Sequence, residues 1–330
     1  MTAVPESRER RTALSILRRL LTDYPVIALT FVFVALYVVT DIVNRAQSDQ
    51  AFLTPTQVAT TFLFAAPLAL LGAGQTLVML TGGVDLSVAT TATAAAYATA
   101  WQGRHGGIAI LLALAVGAGI GLANGIGVGI FQVNALIMTL GTSSVTLGLL
   151  TIYSQKEWEP HVPGFAVRLG SERFFQYIPW NILLWAPLAA LIILGLRYSG
   201  YGRALFAVGD NKIAARLAGI RVWQVLLLVY VLCGALSALA GMLLLGFNNA
   251  ADLGLASPFL LPSVAAVVIG GTSILGGFGG YAGTILGALI LTILDSLLTI
   301  LNASAAVKQM LYGGIILALA WLYARTSASE

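Results

Sequence analysis

Charged residues are scarce in this chain. Aspartate, glutamate, lysine and arginine together make up 9% of its 330 residues, while hydrophobic residues make up 58%. An ordinary soluble domain is about 25% charged and about 45–50% apolar, so this composition excludes a conventional soluble fold. The few charges separate apolar runs, several of which reach the roughly 20 residues that a helix needs to cross a bilayer. We therefore expect an integral membrane protein.

Residues that carry common catalytic chemistry are also few. The single cysteine, Cys233, excludes an intramolecular disulfide and reads as a small packed hydrophobe. The two histidines, His105 and His161, belong to no HExxH zinc motif. Asp85 and Asp295 are the obvious pair for an intramembrane aspartyl protease, but the sequences around them do not support that chemistry. No GxxxxGK[ST] phosphate loop occurs. We expect no enzyme and no metal site, and any ATP must be used by another subunit.

The formal net charge of +4 comes from basic residues between the apolar runs. Cytoplasmic loops collect lysine and arginine, which explains this charge without a nucleic-acid partner. With the N-terminus inside, the cytoplasmic segments hold Arg8, Arg10, Arg11, Arg18, Arg19, Arg197, Arg203, Lys212, Arg216, Arg221 and Arg325. The opposite side holds Arg45, Arg104, Lys156, Arg168, Arg173 and Lys308. This distribution of lysine and arginine favours a cytoplasmic location for both termini.

The apolar runs predict an all-α, polytopic fold with about ten transmembrane helices. These lie near residues 26–43, 58–80, 87–101, 107–130, 134–154, 178–196, 223–246, 260–275, 281–301 and 307–323. We expect cytoplasmic tails over residues 1–25 and 324–330, with a transmembrane domain over residues 26–323. Residues 155–177 mix charges, prolines and aromatics, which is typical of a folded external loop and a docking surface for a partner.

The fourth span and the region of the ninth carry glycine at every fourth residue. The positions are Gly117, Gly121, Gly125 and Gly129, followed by Gly279, Gly283 and Gly287. Helices in a bilayer associate through close backbone approach, which such glycine stripes permit. We expect tight helix packing at both places, and a glycine-lined solute path is the alternative.

Residues 202–220 form a polar stretch, GRALFAVGDNKIAARLAGI, between the sixth and seventh spans. The stretch predicts a short cytoplasmic helix, with Asp210 capping its amino end and Gly219 ending it. Ile213, Leu217 and Ile220 fall on one face of this helix. That apolar face needs a cover, either the base of the same protein or a groove on a separate protein.

The part of this stretch over residues 209–220 resembles the coupling segment of permeases in the ribose-type family of bacterial ABC importers, whose pattern is G-x-x-x-x-A-A-R-L-x-G-I. Three further stretches match the same family in the same order. These are TGGVDLSV at 81–88, NALIMTLGT at 134–142 and AAVVIGGTSILGGFGG at 265–280. The branched-chain amino acid and nucleoside permeases are more distant relatives with the same general plan. Four ordered matches, one of them polar, make the resemblance specific.

The resemblance implies a permease of the type II ABC importer kind in the bacterial inner membrane, working by alternating access. Its implied partners are a second permease (an identical copy or a sister chain), a cytoplasmic ABC ATPase that uses ATP and Mg, and a periplasmic solute-binding protein. The chain itself would bind no cofactor. Monosaccharides or sugar alcohols are the leading solutes. Nucleosides, branched-chain amino acids and an ion-coupled secondary carrier are the alternatives.

The segment 197–222 would couple the ATPase to the spans. Its candidate residues are Gly209, Asp210, Ile213, Ala214, Ala215, Arg216, Leu217, Gly219 and Ile220. Two glycine-rich breaks in the spans are candidate gates, and they contain Gly82, Gly83, Asp85, Ser87, Gly270 and Gly271. A broken span is tolerated at membrane depth only where protein or a water-filled cavity satisfies its backbone. Asp85 either caps a helix that starts at Leu86 or takes part in gating and solute contact.

The remaining polar residues within the spans are Gln75, Asn124, Asn134, Thr139 and Asp295. Intramembrane polar groups face a bundle interior or a pathway. Each of them either forms hydrogen bonds between helices or helps to line a mildly polar channel. For Asp295 the two possibilities are an ion pair with Lys308 and a hydrogen bond to a passing hydroxyl.

Overall fold

The computed structural model describes residues 25–155, 161–175 and 177–327. Residues 1–24 of the predicted N-terminal tail lie outside the described residues. So do residues 328–330 of the predicted C-terminal tail and residues 156–160 and 176 of the predicted external loop.

The described part of the chain is mostly helical, with loops between the helices and one short hairpin. Its helices are α1 Pro25–Ser48, α2 Pro55–Met79, α3 Val88–Trp101, α4 Gly106–Gly129, α5 Ala135–Ser154, α6 Gly164–Ser171, α7 Asn181–Tyr198, α8 Gly200–Asp210, α9 Lys212–Leu217, α10 Val222–Asn248, α11 Leu260–Ile269, α12 Tyr281–Ile300 and α13 Ala305–Ser327. A 3-10 turn, Ser257–Phe259, precedes α11. Strands β1 Arg173–Phe174 and β2 Ile178–Pro179 pair antiparallel, with Arg173 opposite Pro179.

A helix occupies each of the predicted spans, but not all of these helices are long. Among the described residues, 7 helices are long and apolar enough to cross a membrane, namely α1, α2, α4, α5, α7, α10 and α12. The predicted span 260–275 is too long, because α11 ends at Ile269 and residues 270–280 form a glycine-rich loop. The number of ten membrane crossings therefore stays a prediction, and so does the side on which each terminus lies.

Helix α10 lies at the centre of the bundle, where it packs against α2, α3, α4 and α6. The glycine stripe of α4 makes the closest of these contacts. An added Cβ would collide with the carbonyl oxygen of Gly234 if placed at Gly117, and would lie 2.8 Å from the Cα of Leu227 if placed at Gly125. Tight helix packing is therefore confirmed for this stripe. The alternative, a glycine-lined path, is wrong here because α10 covers the face.

The second glycine stripe is shorter than the sequence suggests. Gly283 and Gly287 lie on α12 against the backbone of Gly270 and Ala266, at the contact with α11. Gly279 precedes the helix and has φ +129°, so it belongs to the preceding loop. Glycine therefore packs α12 against α11 over two positions only.

The helices differ strongly in how much of their surface the chain itself covers. The most apolar stretch of α2 is 89% buried, whereas that of α5 is 17% buried. Helix α2 is therefore an interior helix that contacts α10, α11 and α12. Helix α5 lies at the periphery, against α3 and α4, and leaves leucine and isoleucine side chains exposed for lipid or another subunit.

Candidate functional site

The first break, residues 80–87, separates α2 from α3. Its backbone is held by side chains from two helices. The Gln75 Nε2 group donates to the carbonyl oxygen of Asp85 at 2.6 Å, and the Asp85 N–H donates to Gln75 Oε1 at 3.2 Å. Thr139 Oγ1 accepts from the Leu86 N–H at 3.0 Å. The break therefore meets, through protein groups, the requirement that irregular backbone at membrane depth be satisfied.

Asp85 lies within the first break and is 2% exposed. Its Oδ1 accepts from the Ser87 N–H at 2.8 Å and from Ser87 Oγ at 2.6 Å. Asn124 Nδ2 donates in turn to Ser87 Oγ at 2.8 Å. The prediction that Asp85 caps a helix starting at Leu86 is wrong, because α3 begins only at Val88. Asp85 instead fixes the turn that leads into α3, out of reach of a solute in this conformation.

The five intramembrane polar residues do not line one channel. Gln75, Asn124 and Thr139 are fully buried, and they form hydrogen bonds at the first break. Asn134 is exposed and lies just outside α5, where its Oδ1 accepts from the Leu136 N–H at 2.9 Å as an N-cap. Asp295 lies far along α12 in a separate cavity. The prediction of a shared polar path is therefore wrong, and hydrogen bonding between helices describes the buried three.

The second break, residues 270–280, separates α11 from α12 and touches the first break. Gly271, Gly276 and Gly277 have φ of +84°, +96° and +75°, the left-handed region that favours glycine. The Gly277 N–H donates to the carbonyl oxygen of Leu80 at 3.1 Å. The two glycine-rich interruptions, far apart in sequence, are thus joined by a backbone hydrogen bond.

The carboxyl end of α8 lies against both breaks. A Cβ at Gly209 would collide with the carbonyl oxygen of Leu80 and would lie 2.6 Å from the Gly277 nitrogen. A Cβ at Gly277 would lie 3.2 Å from the Cα of Asp210. We call this meeting point of residues 80–83, 209–210 and 276–277 the three-segment junction. No side chain fits at Gly209, so α8 contacts the breaks backbone to backbone.

Helix α8 is also fixed to the start of α10. The Tyr201 hydroxyl donates to the carbonyl oxygen of Val225 at 3.2 Å. Burial of this ring raises the pKa of Tyr201 well above its ordinary value, because the charged phenolate would lose its solvent. Tyr201 is neutral at physiological pH, as an ordinary tyrosine is, and the raised pKa extends this state to more alkaline pH.

Helix α9 presents an uncovered apolar face. Ile213 is 73% exposed and Leu217 is 84% exposed, while Ala215 packs inward. The base of the same protein therefore does not cover this face within the described part of the chain. Ala214 and Arg216 are exposed beside it, Ile220 is half-buried, and Gly219 has φ +85° just after the helix.

The N-cap of α9 differs from the predicted one. Asn211 caps the helix, with its Oδ1 accepting from the N–H groups of Ile213 at 2.9 Å and Ala214 at 3.0 Å. The prediction that Asp210 performs this role is wrong, because α8 continues through Asp210 and leaves the next residue to start α9. Both residue types are good caps, so only the end of α8 decides between them.

A large cavity of about 1140 Å³ lies between the first break, the α4–α5 loop, α9 and the start of α10. Its polar lining residues include Thr81, Gln132, Asn134, Lys212, Arg216 and Arg221. Tyr230 also lines this cavity, and its buried hydroxyl has no hydrogen-bond partner among the described residues. Sequence reasoning missed Tyr230, although a tyrosine within an otherwise aliphatic span is a recognisable signal.

A small cavity of about 380 Å³ lies at the other end of α10. Lys308 Nζ pairs with Asp295 Oδ1 at 2.8 Å, so the predicted ion pair is confirmed. The aromatic residues of its wall are Phe64, Phe247, Phe259 and Tyr312. Sequence reasoning found no such aromatic set, because these residues come from four separate segments. No group of three or more metal-ligating side chains occurs among the described residues.

Comparison with known proteins places the chain in a family. Residues 57–320 match the family model described as branched-chain amino acid transport system, permease component. The ribose import permease protein RbsC of Bacillus subtilis (strain 168) is 33% identical over 304 residues, covering 90% of this chain and 92% of that protein. The probable ABC transporter permease protein YphD of Escherichia coli (strain K12) is 37% identical over 246 residues, covering 73% of this chain and 74% of that protein.

A third relative is the autoinducer 2 import system permease protein LsrC of Yersinia enterocolitica. It is 32% identical over 258 residues, covering 76% of this chain and 70% of that protein. No solved structure matches the chain significantly. The matched residues include both breaks, the three-segment junction and α9. The resemblance expected from the sequence is confirmed, and the chain belongs to this family of multi-pass ABC importer permease subunits, which are not themselves enzymes.

Proposed function

We propose that this chain is the translocation subunit of a bacterial inner-membrane importer for a monosaccharide or sugar alcohol. Relatives named for ribose import and for autoinducer 2 import support a sugar-like solute. Nucleosides and branched-chain amino acids are the alternative solutes, the latter because of the family description. The chain pairs with a second permease, which is an identical copy or a sister chain.

The exposed apolar face of α9 carries this proposal. Ile213 and Leu217 fit the pattern of a short helix that inserts into a groove on a partner. The partner is a cytoplasmic ABC ATPase, which holds the ATP and Mg. Because α9 follows directly on α8, movement of the bound ATPase reaches the three-segment junction through Asp210 and Gly209.

The two breaks act as the moving parts of alternating access. Their glycines are the gating residues, and Gln75, Asp85, Ser87, Asn124 and Thr139 hold the first break in shape. The large cavity lies at the same end as the basic segment 197–221, which supports a cytoplasmic position for it. Solute that has passed the breaks leaves through this cavity.

The opposite end of the molecule receives the solute-binding protein. Helix α6 and strand β1 belong to the segment 155–177, β2 follows it directly, and α6 rests on α10. A Cβ at Gly246 of α10 would collide with the carbonyl oxygen of Ala166 in α6, so the contact is close. This cap offers a firm periplasmic docking surface.

We further propose tails over residues 1–25 and 324–330 and a permease domain over residues 26–323.

The test of the proposal is solute-stimulated ATPase activity in liposomes that hold the chain with its ATPase and binding protein. Arg216→Glu reverses an exposed charge on α9, beside Leu217. We expect this variant to lower the solute-stimulated ATPase activity by at least about tenfold, which corresponds to losing roughly 1.4 kcal/mol of binding free energy to the ATPase. Arg216→Lys keeps the charge and is the matched control. Transport by the chain alone, without any ATPase, would instead establish a secondary carrier.

A further inference from the structure

The small cavity lies at the end of α10 opposite α9, which is the periplasmic side under the proposed function. Its walls come from the first half of α2, the end of α10, the 3-10 turn and start of α11, the second half of α12 and the start of α13. Gly170 of α6 also reaches it. Helix α10 has 27 residues and is therefore roughly 40 Å long, so this cavity and α9 lie at opposite ends of the membrane domain.

The small cavity is lined by an ion pair, Lys308 and Asp295, whose side chains can form further hydrogen bonds. Lys308 Nζ forms an ion pair with Asp295 Oδ1 at 2.8 Å and donates a hydrogen bond to Thr299 Oγ1 at 2.7 Å. An ammonium group has three N–H donors, so one remains. The Tyr312 hydroxyl donates to the same Oδ1 at 3.1 Å, and Asp295 Oδ2 has no partner among the described residues. Asp295 and Lys308, which both line the cavity, therefore keep an acceptor and a donor for a further partner.

Another part of the wall of the small cavity is aromatic. Phe64 and Phe247 meet edge to face, with ring centroids 4.9 Å apart, and both keep more than a third of their surface exposed. Phe259 and Pro258 continue this wall. An apolar wall facing a few placed polar groups, in a volume of about 380 Å³, fits the general form of a small-molecule site.

We propose that the small cavity is a binding site for a neutral polyhydroxylated solute with vicinal hydroxyl groups. One hydroxyl donates to Asp295 Oδ2 and its neighbour accepts from Lys308 Nζ, while the C–H face of the solute packs on Phe64 and Phe247. The proposal rests on the proposed function, since it names the site in this chain that first receives the imported solute.

The existing ion pair favours a neutral solute over a zwitterion. The Lys308–Asp295 distance of 2.8 Å shows that the two charges already neutralise each other. An amino acid would have to separate them to bind one charge with its carboxylate and the other with its ammonium group. A vicinal diol binds to Asp295 Oδ2 and to the remaining N–H of Lys308. The ion pair between the two residues therefore stays intact.

Occupancy of the small cavity can be measured without transport. Gln309 is exposed and lines the cavity, so Gln309→Cys places a thiol at its edge. Ser304→Cys, on the exposed segment just before α13 and outside the cavity, is the matched control. The parent chain has only the buried Cys233 and serves as the blank. The full chain in nanodiscs is labelled with a membrane-impermeant maleimide, in the presence of D-ribose, D-xylose, L-leucine or uridine.

We expect D-ribose or D-xylose to slow labelling of Gln309→Cys roughly tenfold at about ten times the Kd, by simple occupancy. Labelling at Ser304→Cys should not change. Adding Asp295→Asn to Gln309→Cys should remove the protection, measured as the ratio of the labelling rates with and without sugar in that same double variant.

Each contrary outcome has a definite meaning. Absence of labelling at Gln309→Cys, or of protection by either sugar at about 100 mM, overturns the site. Protection by L-leucine alone overturns the polyol assignment. Protection by uridine to the same extent as D-ribose fits the proposal, because its ribose ring carries a vicinal diol. If a sugar protects the thiol but the chain shows no ATPase-driven uptake, the binding site is supported and the proposed function is wrong. If uptake occurs without protection, the proposed function is supported and the binding site is wrong.

Discussion

The glycines of α4 and the glycines of the two breaks have different backbone conformations. Gly117 and Gly121 lie within a regular helix, and a Cβ there would collide with the backbone of α10. Gly82 and Gly271 have φ of +75° and +84°, which L side chains rarely adopt. The first pair lets two helices approach, and the second lets a span change direction. A glycine-rich sequence therefore encodes a fixed contact in one region and a turn between helices in the other.

Gly121→Leu should have the largest effect on folding, because it places a large side chain in the close contact between α4 and α10. An added Cβ would already collide with the carbonyl oxygen of Tyr230, and a full leucine would separate α4 from α10. Overpacking of this kind costs about 1–3 kcal/mol or more. We expect little folded protein, measured as the monodisperse fraction after detergent extraction. Gly119→Leu on the same helix meets nothing within 4 Å and should extract normally. Equal yields for both variants would contradict the packing argument.

Gly82→Ala should have an intermediate effect, confined to transport. Alanine in the left-handed region costs about 1–2 kcal/mol, and its Cβ would lie 3.0 Å from the carbonyl oxygen of Leu275. This strain falls on the contact between the two breaks. We expect extraction close to that of the parent and uptake lower by about tenfold, the equivalent of roughly 1.4 kcal/mol. Normal uptake would sink the idea that the breaks are gates.

Gly141→Ala should have the smallest effect. This glycine is on the exposed helix α5, has nothing within 4 Å and does not have a positive φ. Alanine stabilises a helix interior by about 1 kcal/mol relative to glycine, so the chain should be as stable as the parent or slightly more so. Thermal unfolding of the purified chain in detergent measures this. A clear loss of stability would show that glycine matters here for a reason other than packing or backbone angle within the chain.

Local patterns in the sequence predicted a good part of this structure. Apolar length predicted where the helices lie, and the four-residue spacing of Gly117 and Gly121 predicted their close contact. The i, i+4 spacing of Ile213 and Leu217 predicted one apolar face, which the structure leaves exposed. These features depend on neighbouring residues along one helix, which is the information that a single sequence contains.

Contacts between distant segments were beyond the sequence. Gln75 and Thr139 both hold the first break, but nothing near either residue indicates the other. The aromatic wall at Phe64 and Phe247 likewise joins α2 to α10, so the small cavity had no local signal. The cap of α9 was misplaced by one residue, because the extent of α8 depends on its packing at the three-segment junction.

The hydrogen bond from Gly277 to Leu80 makes the three-segment junction a single pivot with three arms. One arm leads through α8 to the exposed face of α9, one to α2 and one to α11. A pivot of this kind has few independent motions, since displacing one arm displaces the other two. The two breaks would then move in phase as a consequence of their geometry. A transport cycle built on it would pass through no stable state in which only one break has moved.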